Sequence, residues 1–160
     1  MKILVVLPRF PYPLEKGDKL RAYHQIKELA KHNEVYLFCV SHTKVLPEHI
    51  EQLKPFCRDI RVVHSPRLVN YKNVVRNYLY TKSLQIGYWD SLKARRSYKK
   101  FERQVMPDVL YSQMVRTMTL VSRSPIPKVM DFQDALSMNT ERRMDQSHGH
   151  VTYRRPCGRV

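Results

Sequence analysis

The chain alternates between short runs of consecutive apolar residues and longer segments whose apolar residues recur at helical spacing. Runs at 2–7 (KILVVL), 34–40 (EVYLFCV) and 59–64 (DIRVVH) are rich in aliphatic and β-branched residues. Continuous runs of this length predict strands that are buried on both faces, as in a parallel sheet. Two shorter strands are predicted at 108–111 and 128–130, each introduced by proline.

Helical patterns separate these strands. The first predicted helix runs from about Lys19 to Lys31 with Asp18 as its N-cap, and its inward stripe is formed by Leu20, Tyr23, Ile26, Lys27, Leu29 and Ala30. Other helices are expected near 47–53, 67–79, 89–101, 115–121 and 135–146. The repeated strand–helix–strand order predicts an α/β fold, a Rossmann-like parallel sheet with helices on both faces.

The length of 160 residues suits one domain of ordinary size. We expect the folded unit to occupy residues 1–146. The segment 147–160 lacks apolar periodicity and contains two glycines and a proline, which predicts an irregular or disordered tail.

Charge is the most unusual bulk property, with a net charge of +15 at pH 7. Residues 67–103 hold ten Lys or Arg against Asp90 and Glu102, a local charge of +8. Such a surface attracts phosphates, whether they belong to nucleic acid, to a nucleotide sugar or to anionic lipid headgroups. The charge therefore indicates the sign of the partner and leaves its identity open.

Neither a targeting segment nor a membrane span is predicted. The apolar run at 3–7 is too short for a signal peptide and has no small-residue cleavage site after it. Cys39, Cys57 and Cys157 are widely spaced and odd in number, so reduced thiols are expected. These features predict a cytoplasmic protein, and the basic segment adds peripheral attachment to the inner face of the membrane as a possibility.

The loop after the first strand carries the most specific site signal. In parallel α/β sheets, ligands bind beyond the carboxyl ends of the strands, where helices begin. Glycine at a helix start permits close approach of a phosphate to backbone N–H groups. The candidate binding residues there are Arg9, Gly17, Asp18, Lys19 and Arg21. The competing interpretation is a turn glycine within a solvated basic rim.

Polar residues also follow the fourth and fifth predicted strands. Gln113 and Arg116 come after the fourth, and Asp131 and Asp134 come after the fifth, so all four should open onto the same sheet edge. The aspartates can orient sugar hydroxyls, and Arg116 can bind a phosphate. As an alternative, Asp134 is a helix N-cap and Asp131 caps its own turn.

Several classes of site are excluded by motif. The chain has no GxGxxG, no GxxxxGK[ST], no GxSxG and no HExxH. Its seven histidines show no metal-ligand spacing, and no catalytic residue, metal or cofactor is predicted from the sequence.

The stretch KILVVLPRFPYPLEKGDKLRAYHQIKELAKHNEVYLFCVS resembles the opening of family 4 glycosyltransferases of the GT-B fold, as found in bacterial exopolysaccharide and lipopolysaccharide synthesis. The specific part is PxPxxKGDKLRxYHxxKxLAxxxEVxL, from Pro11 to Leu37. The later segments MPDVLYSQ and KVMDFQDALSMNTERR are similar to the fourth and fifth strand regions of that family.

The resemblance implies the N-terminal, acceptor-side half of a two-domain retaining transferase that needs no metal. Its donor would be a nucleotide sugar, its acceptor a glycan or a lipid-linked sugar, and its C-terminal donor domain would be absent from this chain. By position, Gly17 and Asp18 would lie near the transferred sugar and diphosphate, and Asp131 to Asp134 near the acceptor. The family's histidine after the fourth strand is replaced by Tyr111-Ser112-Gln113, so no histidine role is carried over.

A second hypothesis comes from a different functional class. The high positive charge and the aromatic residues interleaved with Lys and Arg between 71 and 103 are compatible with a non-enzymatic module that binds nucleic acid or an anionic membrane. No nucleic-acid-binding motif accompanies this pattern, and nucleic acid is the less favoured partner.

Overall fold

The computed structural model describes residues 1–65 and 91–132. The expected helices at 67–79 and 135–146, the tail at 147–160 and Asp134 all lie outside the described residues. The described part has the following elements: β1 (Lys2–Leu7), α1 (Gly17–Leu29), β2 (Glu34–Ser41), α2 (Pro47–Glu51), β3 (Asp59–His64), α3 (Leu92–Val105), β4 (Val109–Gln113), a 3₁₀ turn (Val115–Thr117), α4 (Met118–Val121) and β5 (Lys128–Asp131).

The five strands form one parallel sheet in the order β3-β2-β1-β4-β5. Strand β1 is central, and five of its six residues are buried, because helices cover both faces. The predicted α/β, Rossmann-like class is therefore confirmed. All strand boundaries agree with the sequence pattern to within two residues.

One face of the sheet packs against α3 and α4. Phe38 of β2 meets Tyr98 edge-on, with ring centroids 5.4 Å apart, and contacts Phe101 at 6.2 Å. All three rings are at most 1% exposed, and burying side chains of this size stabilises the fold by about 2 kcal/mol each. The Arg61 guanidinium lies 5.3 Å from the centre of the Phe101 ring. This aromatic cluster fixes α3 against the sheet.

The other face packs against α1 and α2. The helix α1 contributes Ala22 and Ile26 as its buried residues, and they contact the apolar layer of β1 and β2 that includes Cys39. Leu20, which we expected to point inward, is 42% exposed. The predicted stripe is otherwise largely confirmed, since Ile26 is buried and Tyr23, Leu29 and Ala30 pack against the same layer. Lys27, like Leu20, is exposed.

The cysteines of the described part behave as small buried hydrophobes. Burial raises the pKa of the Cys39 thiol far above its ordinary value and that of Cys57 to about 12. Both are free thiols, and protonated thiols in apolar surroundings are poor nucleophiles. The third, Cys157, lies outside the described residues.

Candidate functional site

The strand order locates the site. The chain leaves β1 towards β2 on one side and returns to β4 on the other. In open parallel sheets the crevice between two such strands, at their carboxyl ends, is where ligands bind. The carboxyl ends of β1, β2, β4 and β5 all lie at this edge, so the described candidate residues from separate parts of the sequence share one side of the sheet.

The start of α1 differs from the prediction. The helix begins at Gly17, and its N-cap residue is Lys16, whose side chain makes no capping hydrogen bond. Asp18 is therefore inside the first turn and is not the N-cap. Its carboxylate instead pairs with the Arg9 guanidinium at 3.1 Å. This ion pair ties the loop after β1 to the helix, and an acidic residue in the first turn also suits the helix dipole.

The environment of Gly17 is open. A Cβ atom built on this residue would meet nothing within 4 Å, and its φ is not positive. Backbone geometry therefore does not require glycine here. The first N–H groups of a helix have no intrahelical acceptor, and Gly17 at this helix start is exposed.

Asp131, the last residue of β5, is at the centre of a polar network. Its carboxylate accepts hydrogen bonds from the Arg21 guanidinium at 3.0 and 3.3 Å, from the Gln25 amide at 3.2 Å and from the Tyr111 hydroxyl at 3.0 Å. The Asp131 side chain is 13% exposed and that of Arg21 is 53% exposed. The network joins α1 to β4 and β5 on the same face of the sheet. Asp131 is thus engaged across the sheet and does not merely cap its own turn.

The network alters the titration of Tyr111. Burial, together with the hydrogen bond and negative charge of Asp131, raises the pKa of Tyr111 to about 12. Ionisation would place two negative charges side by side. The tyrosine therefore stays a hydrogen-bond donor throughout the physiological range.

Gln113, the last residue of β4, extends the same network. Its amide nitrogen is 3.5 Å from the Gln25 amide oxygen, and the residue is 2% exposed. The pairing of Gln113 with Asp131 across the sheet brings these two predicted residues together. Gln25 links both to α1.

The turn after β4 holds a strained residue. Met114 has φ 65° and ψ 148°, a region that costs a non-glycine residue roughly 1–3 kcal/mol. The buried Thr117 hydroxyl donates a hydrogen bond to the Met114 carbonyl at 2.8 Å. A second hydrogen bond joins the Thr117 and Ser112 hydroxyls. Arg116 lies in this turn and is half-buried. The turn is therefore fixed by buried polar contacts where the crevice begins.

A separate cleft of about 360 Å³ lies on the β2 side of the loop that follows β1. Its cationic residues come from the loop after β1, from α1 and from the loop after β2, and they are Arg9, Lys16, Lys19 and Lys44. Glu15 is the acidic residue in its lining. Lys19 thus faces this cleft, whereas Arg21 faces the Asp131 network.

Three contributors were missed by sequence reasoning. They are Tyr111 of β4, Gln25 of α1 and Lys44 of the loop after β2, none of which was named as a candidate. Lys44 had a detectable signal, because it follows the carboxyl end of a predicted strand. Tyr111 and Gln25 had none, since their roles depend on which strand lies beside which.

Within residues 1–65 and 91–132, no group of three or more His, Cys, Asp or Glu side chains is placed to hold a metal ion. In the same part of the chain, no helix is long and apolar enough to cross a membrane.

No protein-family model matches the chain, and no curated protein sequence matches it. Five chains among solved structures do match. One is the crystal structure of TcCGT1 in complex with UDP, with 12% sequence identity and a TM-score of 0.45. The match covers 94% of this chain and 32% of the other, so this chain spans about a third of the length of TcCGT1. At this level of likeness, only the residues of the chain itself bear on what its site binds.

Proposed function

We propose that this domain is the acceptor-binding half of a retaining GT-B glycosyltransferase, which moves a sugar from a nucleotide sugar to a glycan or lipid-linked acceptor. One observation carries the proposal. Polar side chains from α1, β4 and β5, far apart in sequence, meet at the carboxyl edge of a Rossmann-like sheet beside its switch point. The resemblance of residues 11–37 to family 4 transferases supports the same assignment.

The arrangement suits the recognition of sugar hydroxyls. Amide, guanidinium and carboxylate groups held in a network present donors and acceptors in fixed directions, which gives a polar ligand its orientation. In this proposal Arg21, whose side chain is 53% exposed, contacts the acceptor, and the buried Gln113 positions Gln25. The Asp131 carboxylate accepts hydrogen bonds from Arg21, Gln25 and Tyr111. It therefore orients Arg21 and does not itself bind the acceptor in this proposal. In the same proposal, the first N–H groups of α1, at Gly17 and Asp18, bind the diphosphate near the transferred sugar.

The proposal assigns the chemistry to two domains. In sugar transfer from a nucleotide donor, stabilisation of the departing diphosphate is a large contribution, and the resemblance places those residues in a donor domain outside residues 1–146. We therefore expect this chain alone to bind acceptor sugars without turning over a nucleotide sugar.

Ligand-detected NMR on the 160-residue chain tests this assignment. A panel of neutral mono- and oligosaccharides should show saturation transfer, and Arg21→Ala should abolish it. Lys27→Ala, an exposed change on the same helix, is the matched control. A parallel assay with radiolabelled UDP-sugars should detect no transfer. Absence of any sugar binding, or sugar transfer by the chain alone, would contradict the proposal.

The structure also favours one alternative from another class, a basic module that docks on an anionic membrane. The helix α3 buries its aromatic side against the sheet and exposes a row of cations on the opposite side, made of Lys93, Arg96, Lys99, Lys100 and Arg103. Each Lys or Arg near a surface of acidic lipid contributes about 1 kcal/mol to the free energy of membrane binding. Such docking is also compatible with a transferase whose acceptor is lipid-linked.

Sedimentation with liposomes tests this alternative. Vesicles containing phosphatidylglycerol should retain the chain at low salt and release it as salt rises. Lys99→Glu combined with Arg103→Glu should weaken retention at least tenfold. Equal retention by neutral vesicles, or equal retention of the variant, would reject membrane docking through α3. Salt-sensitive binding to unrelated DNA without vesicle retention would favour the nucleic-acid version.

A further inference from the structure

The cleft between the loops after β1 and β2 is chemically unlike the Asp131 network. Four cations line it, against one acidic residue. Asp18 neutralises part of the charge of Arg9, and Glu15 is the carboxylate that lines the cleft beside Lys16, Lys19 and Lys44. The lysines give the cleft an excess of positive charge, which attracts anions. The cleft therefore has the electrostatics of an anion site.

The walls of the cleft are fixed by contacts that do not depend on a ligand. The buried Ser41 hydroxyl donates to the Thr43 carbonyl at 2.7 Å. The His42 ring nitrogen Nδ1 lies 2.8 Å from the Ser65 carbonyl, which ties the loop after β2 to the end of β3. On the opposite side the Tyr12 and His49 rings are in contact, with centroids 5.3 Å apart. A preorganised wall reduces the ordering cost of binding.

The size of the cleft narrows the choice of ligand. A volume of about 360 Å³ is at the lower end of the range for small-molecule pockets, roughly 300–1,000 Å³. That space suits a sugar phosphate better than a complete nucleotide sugar. Tyr12, which is half-buried, adds aromatic surface beside the cations, and an aromatic ring offers a flat face to a sugar. The lysines supply point charges of the kind that bind phosphate.

We propose that this cleft binds the phosphate group of a phosphorylated acceptor, either a sugar phosphate or the diphosphate of a lipid-linked sugar. The proposal rests on the proposed acceptor-side function and names its substrate class. The neutral part of the acceptor would extend from the cleft towards the Asp131 network, on the other side of the loop that carries Arg9. Lys16 and Lys44, both exposed and from opposite walls, are the residues that decide phosphate affinity.

Titration of the ¹⁵N-labelled chain tests the proposal with defined probes. Glucose 1-phosphate should bind at least ten times more tightly than glucose, with chemical-shift changes at Ser41–Lys44 and Lys16–Lys19. Lys16→Ala combined with Lys44→Ala should raise the Kd for glucose 1-phosphate at least tenfold and leave the Kd for glucose unchanged. Lys27→Ala combined with Lys31→Ala, which removes two exposed lysines of α1 and its end, should change neither value more than twofold.

Titrations with other ligands distinguish a sugar phosphate from a lipid-linked diphosphate. Tighter binding of geranyl diphosphate than of glucose 1-phosphate, lost in the Lys16/Lys44 variant, assigns the cleft to a lipid-linked diphosphate. The reverse order assigns it to a sugar phosphate. Tighter binding of UDP than of either probe would overturn the acceptor assignment, and equal affinities of the variant and the unmodified chain would overturn the site.

The outcomes also distinguish this proposal from the proposed function. If glucose binds and is lost in Arg21→Ala, but phosphate adds no affinity, the cleft proposal fails and the acceptor-side function stands. If inorganic phosphate binds in the cleft and no sugar binds anywhere, the acceptor-side function fails.

Discussion

Replacing Asp131 with alanine is the sharpest perturbation of the network at the sheet edge. The substitution removes a carboxylate that accepts hydrogen bonds from Arg21, Gln25 and Tyr111. These donors come from a helix and a neighbouring strand, so the change loosens the attachment of α1 to the β4–β5 side of the sheet. We expect destabilisation even though Asp131 is a polar residue at the end of a strand.

The size of the effect follows from the exposure of each partner. A hydrogen bond to a charged group contributes about 1.5–3 kcal/mol, but the ion pair to Arg21, whose side chain is 53% exposed, is worth only about 0–1 kcal/mol. The contacts to Gln25 and Tyr111 are shielded better and dominate. We expect a loss of about 3 kcal/mol in the free energy of unfolding, or roughly 6–12 °C in Tm for a chain of this size.

Urea unfolding followed by circular dichroism measures this loss. Glu51→Ala is the control, because its ion pair with Lys54 is exposed on both sides and should be worth less than about 0.5 kcal/mol. A double-mutant cycle with Tyr111→Phe should give a coupling energy of about 1 kcal/mol. A change in Asp131→Ala no larger than in the control, or strict additivity with Tyr111→Phe, would refute the reasoning.

Three further predictions concern the same edge. The pKa of Tyr111 is raised from 10.0 to about 12. The stability that this shift contributes is therefore complete below pH 10 and is lost as the pH rises from 10 to 12. Tyr111→Phe should flatten that part of the plot of unfolding free energy against pH, and parallel plots for the variant and the unmodified chain would show that the shift is absent. Thr117→Val removes a buried hydroxyl bonded to Ser112 and to the Met114 carbonyl, and should cost about 1–3 kcal/mol in thermal or urea unfolding, whereas Thr43→Val, which is exposed, should not. Gly17→Ala should stabilise the chain by roughly 0.5–1 kcal/mol, since the added methyl group meets no atom; a destabilised variant would mean that the helix start is more crowded than the structure shows.

Much of the scaffold could be predicted from local pattern. A strand buried on both faces must be apolar at successive positions, and β1 shows this in its sequence and in its burial. The helix α3 was predicted from Trp89, Leu92, Tyr98 and Phe101. Tyr98 and Phe101 lie on its buried side with Ala94 and Val105, whereas Leu92 is 49% exposed and Trp89 is outside the described residues. The sheet edge that holds the candidate site could be predicted, because the carboxyl ends of parallel strands meet at one edge. Only some of the residues that meet there could be named.

Errors occurred where a side chain had a distant partner. Asp18 has the residue type of an N-cap, yet the helix starts at Gly17, two residues earlier than predicted, and the Asp18 carboxylate pairs with Arg9. Leu20 is an error of another kind: it fits the helical period, yet it is 42% exposed. Local preference is weaker than these tertiary contacts.

The sequence by itself determined the α/β class, the strand positions, the cationic character and the end of the sheet at which to look for a site. These properties depend on residue type and spacing over a few residues. The tertiary structure alone decided that Tyr111, Gln25 and Gln113 join Asp131, and that Lys44 shares a cleft with Lys16 and Lys19. The physical reason is strand order. Strands β4 and β5 lie on one side of β1, whereas β2 lies on the other side. No spacing along the chain encodes which side chains that order brings together.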